Sequence, residues 1–473
     1  MPAFLTYESG ILVGVNWVER DGNRVRSRSI LTQSMILETT VELRSDETTA
    51  RSSSTVTNAG EKTGNAIEHA FGDSAIYWSD FMPSSVEQAL RRARVLDRAR
   101  ALIPAASLFS ASHGTIAVER VDATDWVVSY HNKRYEALTD SAGNLLAATL
   151  PDYGVTIERR ADFSPDRFPL WPPNEAPPDH AYRAEEVRIQ APEGHVLAGT
   201  LTRPVGGTAG SAPAAILITG LSANNRNNGS PPLMPLRDIA DALTRRGIAV
   251  LRVDDRGVEE STGDRAPSTT FDEAKDVETE ARWLRAQRGI DPRRIALVGY
   301  SEGGLIAPIV ASRDRAIAAI VTLAGPGVSG PDVARYQISA AVEGDSTIAP
   351  ADREAEIQKQ LSEPMTPREQ TYLGIDPLSY ARLVRCPALI LQGGADRHVP
   401  LRSAERIASV MRAGGNRDVT VRIFPGVSHS FMPDPVGLSS GWAMLPAVHT
   451  SPEALRALSD WTVERLRPAR GKP

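Results

Sequence analysis

Ile295-Ala296-Leu297-Val298-Gly299-Tyr300-Ser301-Glu302-Gly303 decides the fold of this chain. Four apolar residues read as a buried strand, residues 304–312 read as a helix, and between them a serine stands in the pattern G-x-S-x-G. A serine on so sharp a strand-to-helix turn needs small neighbours on both sides. It then projects its hydroxyl beside the first free N–H groups of a helix. Glycine and serine are common, so the bare pattern also occurs as an ordinary loop turn. The placement between strand and helix is what marks Ser301 as a candidate nucleophile.

On either side of this turn, apolar runs at 214–219, 248–253, 317–323, 388–391 and 419–424 alternate with helical patterns at 236–246, 271–287, 401–413 and 452–466. Near-continuous apolar strands are covered on both faces, so the expected fold class is α/β, a doubly wound and mostly parallel sheet. Residues 187–190 and 196–201 open it as a hairpin around Glu193-Gly194. Residues 328–384 break the rhythm with charged helical sequence and read as a lid insertion over the carboxyl ends of the strands.

A length of 473 residues calls for two domains. Residues 1–160 read as a β-rich amino-terminal domain, with hairpin turns at Asp21-Gly22-Asn23 and Ala142-Gly143-Asn144. One long helix is expected there, opened by a Ser84/Glu87 capping box and burying Val86, Leu90, Ala93 and Ala101. Its arginines, Arg91, Arg92, Arg94, Arg98 and Arg100, read as a solvated face more readily than as a membrane- or phosphate-binding one. Residues 161–183 carry Pro165, Pro169, Pro172, Pro173, Pro177 and Pro178 and read as a stiff, extended linker, leaving 184–468 for the α/β domain.

Composition narrows the function classes. A net charge of -5 gives no reason to expect nucleic acid as a partner. Lysine occurs only at Lys62, Lys133, Lys275, Lys359 and Lys472, so arginine supplies nearly all of the 53 basic residues, a bias of genomic composition and not a binding signature. The single cysteine, Cys386, permits neither an internal disulfide nor a multi-cysteine metal site. No apolar run is long enough for an integral membrane segment, and as written the chain carries no export signal, which places it in the cytoplasm unless a leader was removed.

A serine hydroxyl needs a base, and the base needs a carboxylate to hold its tautomer. In doubly wound folds functional groups collect beyond the carboxyl ends of strands. Two positions qualify: Asp396, after strand 388–392 and Gly393-Gly394-Ala395, and His429, after strand 419–424 and Pro425-Gly426-Val427-Ser428. Each has a plainer reading, Asp396 as the cap of a helix near Pro400 and His429 as a packing histidine. His398 competes for the base role but cannot readily turn back onto Asp396 and still reach Ser301; His449 is a weaker rival. Asp254 and Asp255 end another strand and could in principle supply the acid, but they are expected to fix the turn before Arg256-Gly257.

The order serine, acid, histidine is that of α/β-hydrolases, and the stretches around Ser301, Asp396 and His429 resemble the nucleophile elbow, acid loop and histidine loop of that superfamily over residues 184–466. One oxyanion donor is expected at the N–H of Glu302, next after the nucleophile, and a second at the N–H of Leu221, after the strand ending Ile218-Thr219-Gly220. Many relatives have His-Gly where this chain has Thr219-Gly220. That loop, with residues 250–258, resembles esterases related to dienelactone hydrolase and to acyl-peptide-cleaving enzymes. The resemblance implies a serine hydrolase acting on a small-molecule ester, with no metal or organic cofactor. Thioester or peptide cleavage is the alternative within enzymes, and a noncatalytic binding module the alternative outside them. For residues 1–160 no motif stands out, and a binding role or a role in shaping the substrate entrance both stay open.

Overall fold

The computed structural model describes residues 3–8, 11–31, 33, 35–58, 64–71, 75–79, 83–107, 113–130, 133–205, 212–230, 233–345, 348–434, 436–437 and 449–468. They fall into two compact units, 3–173 and 174–437 with 449–468.

The first unit is built on one sheet of thirteen strands among the described residues. It runs from Asn65–Ala70 at one edge, through Ala3–Glu8, to Ile76–Trp78 at the other, and only the last pair, Ile76–Trp78 beside Arg100–Ser107, is parallel. Gly22 and Gly143, both left-handed (φ 56° and 89°), sit in two of its hairpin turns. The helix Pro83–Leu96 buries Val86, Ala89, Leu90 and Ala93 in a core shared with Trp78, Trp126 and Tyr130.

Four expectations for this unit are corrected. The helix ends at Leu96, so Arg100 and Ala101 begin the strand Arg100–Ser107 instead of extending the helical stripe. Ser84 lies inside the first turn, and the Glu87 carboxylate accepts from Arg91 and from the Leu145 N–H instead of closing a capping box. The arginine face is engaged within the unit: Arg92 donates to the Asp46 carbonyl at 2.7 Å and Arg94 to Thr139 at 3.1 Å. The proline-rich stretch differs too. Pro165–Arg167 forms a 3-10 turn, and Phe163, Phe168 and Leu170 pack with Ala3, Leu5, Val15, Trp17 and Ile30. Proline excludes that segment from the sheet, but its aromatic and aliphatic neighbours still gain by burial.

The second unit carries an eight-stranded sheet in the spatial order Tyr182–Gln190, Val196–Pro204, Ala249–Val253, Ala212–Ile218, Ile290–Tyr300, Ala319–Leu323, Ala388–Gly393, Val419–Phe424. The opening hairpin is antiparallel and joins Ala249–Val253 antiparallel; every later pair is parallel. This is the doubly wound fold expected. Apolar cores lie on both faces, one with Thr270–Arg285, Gly303–Arg313 and Arg402–Ala413, the other with Pro235–Thr244 and Pro452–Arg465. Between Ala319–Leu323 and Ala388–Gly393 the insertion forms the helices Gly330–Gly344, Arg353–Leu361, Pro367–Gly374 and Pro377–Ala381. Parallel strands deliver Ile218, Tyr300, Leu323, Gly393 and Phe424 to one edge of the sheet, and the loops leaving them meet there. Among the described residues no helix is long and apolar enough to cross a membrane.

Candidate active site

Ser301 occupies the turn between Ile290–Tyr300 and Gly303–Arg313 with φ 54°, the left-handed region that a side chain rarely adopts. Such a conformation costs about 1–3 kcal/mol and persists only where the surroundings enforce it. Here the Ser301 N–H donates to the Leu323 carbonyl at 2.8 Å and the Gly303 N–H to the Thr219 carbonyl at 3.0 Å. The glycines of the motif are steric necessities. A Cβ on Gly303 would lie 2.5 Å from the Ile218 carbonyl oxygen, and one on Gly299 would overlap the Gly303 carbonyl.

The three residues picked out from sequence come together at this turn. His429 Nε2 lies 3.1 Å from Ser301 Oγ, and its Nδ1 lies 2.9 Å from Asp396 Oδ2. Asp396 is buried, and its carboxylate also accepts from the backbone N–H groups of His398 (2.7 Å) and Val399 (2.8 Å) and from Gln392 Nε2 (2.7 Å). The loop-capping role of Asp396 and its contact to His429 therefore coexist on two oxygens. An ionised carboxylate only accepts, which assigns the proton to His429 Nδ1 and leaves Nε2 free to accept from the serine hydroxyl.

His398 is not the base. Its ring stacks on His429 with centroids 4.7 Å apart, and burial, with His429 as a second cause, lowers its pKa to about 4. A neutral ring thus covers one face of His429, while Tyr300 approaches at 5.3 Å. From the insertion, the Tyr336 hydroxyl donates to the Asp396 carbonyl at 2.8 Å.

The expected oxyanion donors also have suitable surroundings. Among the described residues the N–H groups of Leu221 and Glu302 donate to no protein acceptor, whereas those of Gly220, Ser301 and Gly303 do. A Cβ at Gly220 would lie 3.4 Å from Ser301 Cβ, so this loop passes directly beside the nucleophile. The side chains of Asp254 and Asp255 have a different task from the one expected. That of Asp254 grips the Arg226 N–H and guanidinium, and that of Asp255 accepts from Thr219 Oγ1 and the Asn224 N–H, so both side chains hold the loop after Ile218, while the Asp255 carbonyl closes the turn at Arg256-Gly257 by accepting from the Val258 N–H at 2.9 Å.

Sequence reasoning missed a buried charge cluster beside the turn. Arg368 pairs with Glu302 (2.6 Å) and Glu273 (2.8 Å), and Arg265 pairs with Glu273 (3.3 Å) and Asp255 (3.1 Å). Burial, reinforced by Glu273, pushes Asp255 up to about 8, and burial also raises Glu302. Nothing in a chain this rich in arginine distinguishes Arg265 or Arg368 before folding.

Comparison with known proteins agrees with this architecture. The model of the prolyl oligopeptidase family matches residues 237–438, which span the elbow, the acid loop and the histidine loop. The carboxy-terminal unit has the α/β-hydrolase fold. Among curated relatives, the esterase EstD of Thermotoga maritima is 23% identical over 279 residues, 57% of the chain and 66% of the esterase, so just under two thirds of EstD is spanned. An uncharacterized protein of Mycobacterium tuberculosis is 29% identical over 265 residues, 56% of the chain and 77% of its own length. Similar solved structures include the Pyrococcus furiosus esterase Pf2001 (16% identity, 65% of the chain, 96% of that structure, TM-score 0.43) and Est1E of Butyrivibrio proteoclasticus with ferulic acid bound (18%, 59%, 99%, TM-score 0.43).

Proposed function

We propose that this α/β-hydrolase cleaves carboxylic esters of small molecules through an acyl-enzyme, with Ser301 as nucleophile, His429 as general base and then general acid, and Asp396 as the orienting carboxylate. The observation that carries this reading is the continuous relay Asp396–His429–Ser301, at 2.9 and 3.1 Å, on a turn whose serine is held at positive φ. The similarity to EstD favours an ester as the bond cleaved.

Each step uses groups already in place. Ser301 Oγ adds to the ester carbonyl carbon while its proton passes to His429 Nε2, and the imidazolium is stabilised by Asp396. The carbonyl oxygen becomes an oxyanion facing the N–H groups of Leu221 and Glu302. Collapse expels the alkoxide, which takes the proton from His429. Water then repeats the sequence on the acyl-enzyme and releases the acid. The insertion 328–384 roofs the acyl side of the site.

The prolyl oligopeptidase family match favours a second reading, peptide-bond cleavage by the same machinery. One experiment treats both. Fluorophosphonate labelling of the wild type, lost in Ser301→Ala, is expected to accompany turnover of p-nitrophenyl esters from acetate upward. On matched ester, thioester and anilide substrates the ester is expected to turn over fastest. A preference for the anilide transfers the assignment to the peptidase reading, and a folded wild type that neither labels nor turns over removes both.

A further inference from the structure

Arg368 is the second residue of the insertion helix Pro367–Gly374, and it is buried. Its three guanidinium nitrogens are all engaged, each with a different partner. Nε donates to the Leu221 carbonyl at 3.1 Å, Nη1 to Glu273 Oε1 at 2.8 Å, and Nη2 to Glu302 Oε2 at 2.6 Å. Leu221 and Glu302 are the two residues whose N–H groups face the developing oxyanion in the reading above. One rigid, planar cation therefore touches both halves of the oxyanion hole, from an element that supplies no member of the triad.

We propose that Arg368 is a positioning residue for the oxyanion hole, and that the inserted helices are thereby a fixed part of the catalytic framework. The inference rests on the serine-hydrolase reading. Its physical basis is the irregularity of the loop after Ile218, which has no ladder to fix its peptide planes. Farther along, that loop is held by Asp254 and Asp255, and just before Leu221 the Gly220 N–H donates to Asn228 Oδ1. At Leu221 the peptide that carries the N–H is held by Asn224 Nδ2, which donates to the Gly220 carbonyl at 3.0 Å, and the next peptide is held by guanidinium groups: Arg368, and Arg265, which donates to the same Leu221 carbonyl at 3.2 Å and to the Ser222 carbonyl. Charge-assisted bonds of this kind are directional and strong, and the fork of an arginine cannot be reproduced by a lysine.

Glu302 completes the argument. Its side chain is fully buried at the amino end of Gly303–Arg313, where Thr270 Oγ1 and Arg368 are its partners. Removal of Arg368 leaves a buried carboxylate with one hydroxyl for compensation, in the residue whose own N–H must point at the oxyanion. Such a group protonates or turns away from its site. Leu221 and Glu302 then both lose their alignment, and misplacing a donor by a fraction of an ångström costs the transition state far more than the ground state.

The test compares wild type, Arg368→Gln and Arg368→Lys by kcat and KM on p-nitrophenyl butyrate and by inhibition with phenylboronic acid, whose serine adduct places an oxygen in the hole. Circular dichroism and melting temperature monitor folding. Arg368→Gln is expected to lower kcat by ~10–100-fold and to weaken boronate inhibition by a similar factor, with KM within ~3-fold of wild type; Arg368→Lys falls between. If Arg368→Gln does not fold, Arg368→Lys carries the test on the same two readouts. Unchanged kcat and boronate inhibition in a folded variant overturn the proposal, as does a rise in KM at constant kcat, which makes Arg368 a substrate-binding group. A wild type inactive on every ester is the separate failure of the serine-hydrolase reading.

Discussion

Replacing Asp396 by asparagine isolates the tautomer argument from everything else at the site. The carboxylate accepts four bonds, from the N–H groups of His398 and Val399, from Gln392 Nε2 and from His429 Nδ1. An amide has one oxygen. The two backbone N–H groups cannot turn away, so that oxygen stays with them and the NH2 group faces His429 and Gln392. Gln392 adapts by flipping, because its Oε1 is buried without a partner. His429 adapts only by shifting its proton to Nε2, where it points at Ser301 and can no longer accept the hydroxyl proton. A triad in the wrong tautomer loses about 10⁴ in kcat, or about 5 kcal/mol of transition-state stabilisation. The shape of the side chain is conserved, so the melting temperature should move little. The assay is kcat on p-nitrophenyl acetate, normalised by titration of active sites, with the rate of fluorophosphonate labelling falling in parallel. A folded Asp396→Asn enzyme that keeps more than about a tenth of wild-type kcat would show that no base of the right tautomer is needed.

Gly303→Ala places a methyl 2.5 Å from the Ile218 carbonyl oxygen, against backbone that cannot yield cheaply; we expect a loss of about 1–3 kcal/mol in urea unfolding and a kcat lowered by ~10²-fold, and unaltered values of both would contradict the packing of the turn. His398, held near pKa 4 by burial and by His429, binds fewer protons folded than unfolded between pH 6.5 and 4. Its contribution is therefore present above pH 6.5 and lost as pH falls; because the residue is exposed despite that packing and solvent screens the effect, the unfolding free energy should drop by less than ~1 kcal/mol from pH 7 to 5 in wild type and more shallowly in His398→Phe, and equal slopes count against a neutral stacked ring. Tyr336→Phe removes the hydroxyl bond to the Asp396 carbonyl and should cost about 1 kcal/mol of stability with kcat within ~3-fold, a larger kinetic loss implying that Tyr336 acts on the triad directly. Partial burial pushes the Cys386 thiol up to about 11, so at pH 8 the native protein should react with DTNB much more slowly than the denatured one, and equal rates would contradict a suppressed thiolate.

The elements that were legible in the sequence are those governed by local rules. Strand 295–298, the two glycines and the helix after them specify the Ser301 turn within a dozen residues, because the sterics that demand glycine act between near neighbours. Asp396 and His429 were found because strand ends are recognisable and parallel strands bring their carboxyl ends to one edge. The helix end at Leu96 was missed because helical propensity continues through the arginines that follow, and only pairing with His113–Arg120 turns Arg100–Ser107 into a strand. Phe163, Phe168 and Leu170 were obscured by the prolines around them, which forbid a strand without forbidding burial. Arg368 was illegible for a deeper reason. Its carbonyl partner lies 147 residues away, and its role exists only once three separate segments have converged.

That convergence bears on why so many charges are buried near one loop. A buried ion pair contributes little net stability, because desolvation cancels most of the attraction, and an apolar replacement of similar shape is often as stable. If stability alone had shaped the residues behind the 219–228 loop, aliphatic packing would serve as well. Instead Arg226 sits between Asp254 and Glu186, Arg265 beside Glu273, and Arg368 between Glu273 and Glu302, while Arg226, Arg265 and Arg368 also stand in or contact the loop itself. What such pairs supply and aliphatic contacts do not is direction: a carbonyl gripped by a planar guanidinium cannot rotate without breaking a charge-assisted bond. Direction is what an oxyanion hole needs from a loop without secondary structure. The charges are thus best understood as holding Leu221 and Glu302 in register with Ser301 before any substrate arrives, which places the rate enhancement partly in the folding of residues far from the triad.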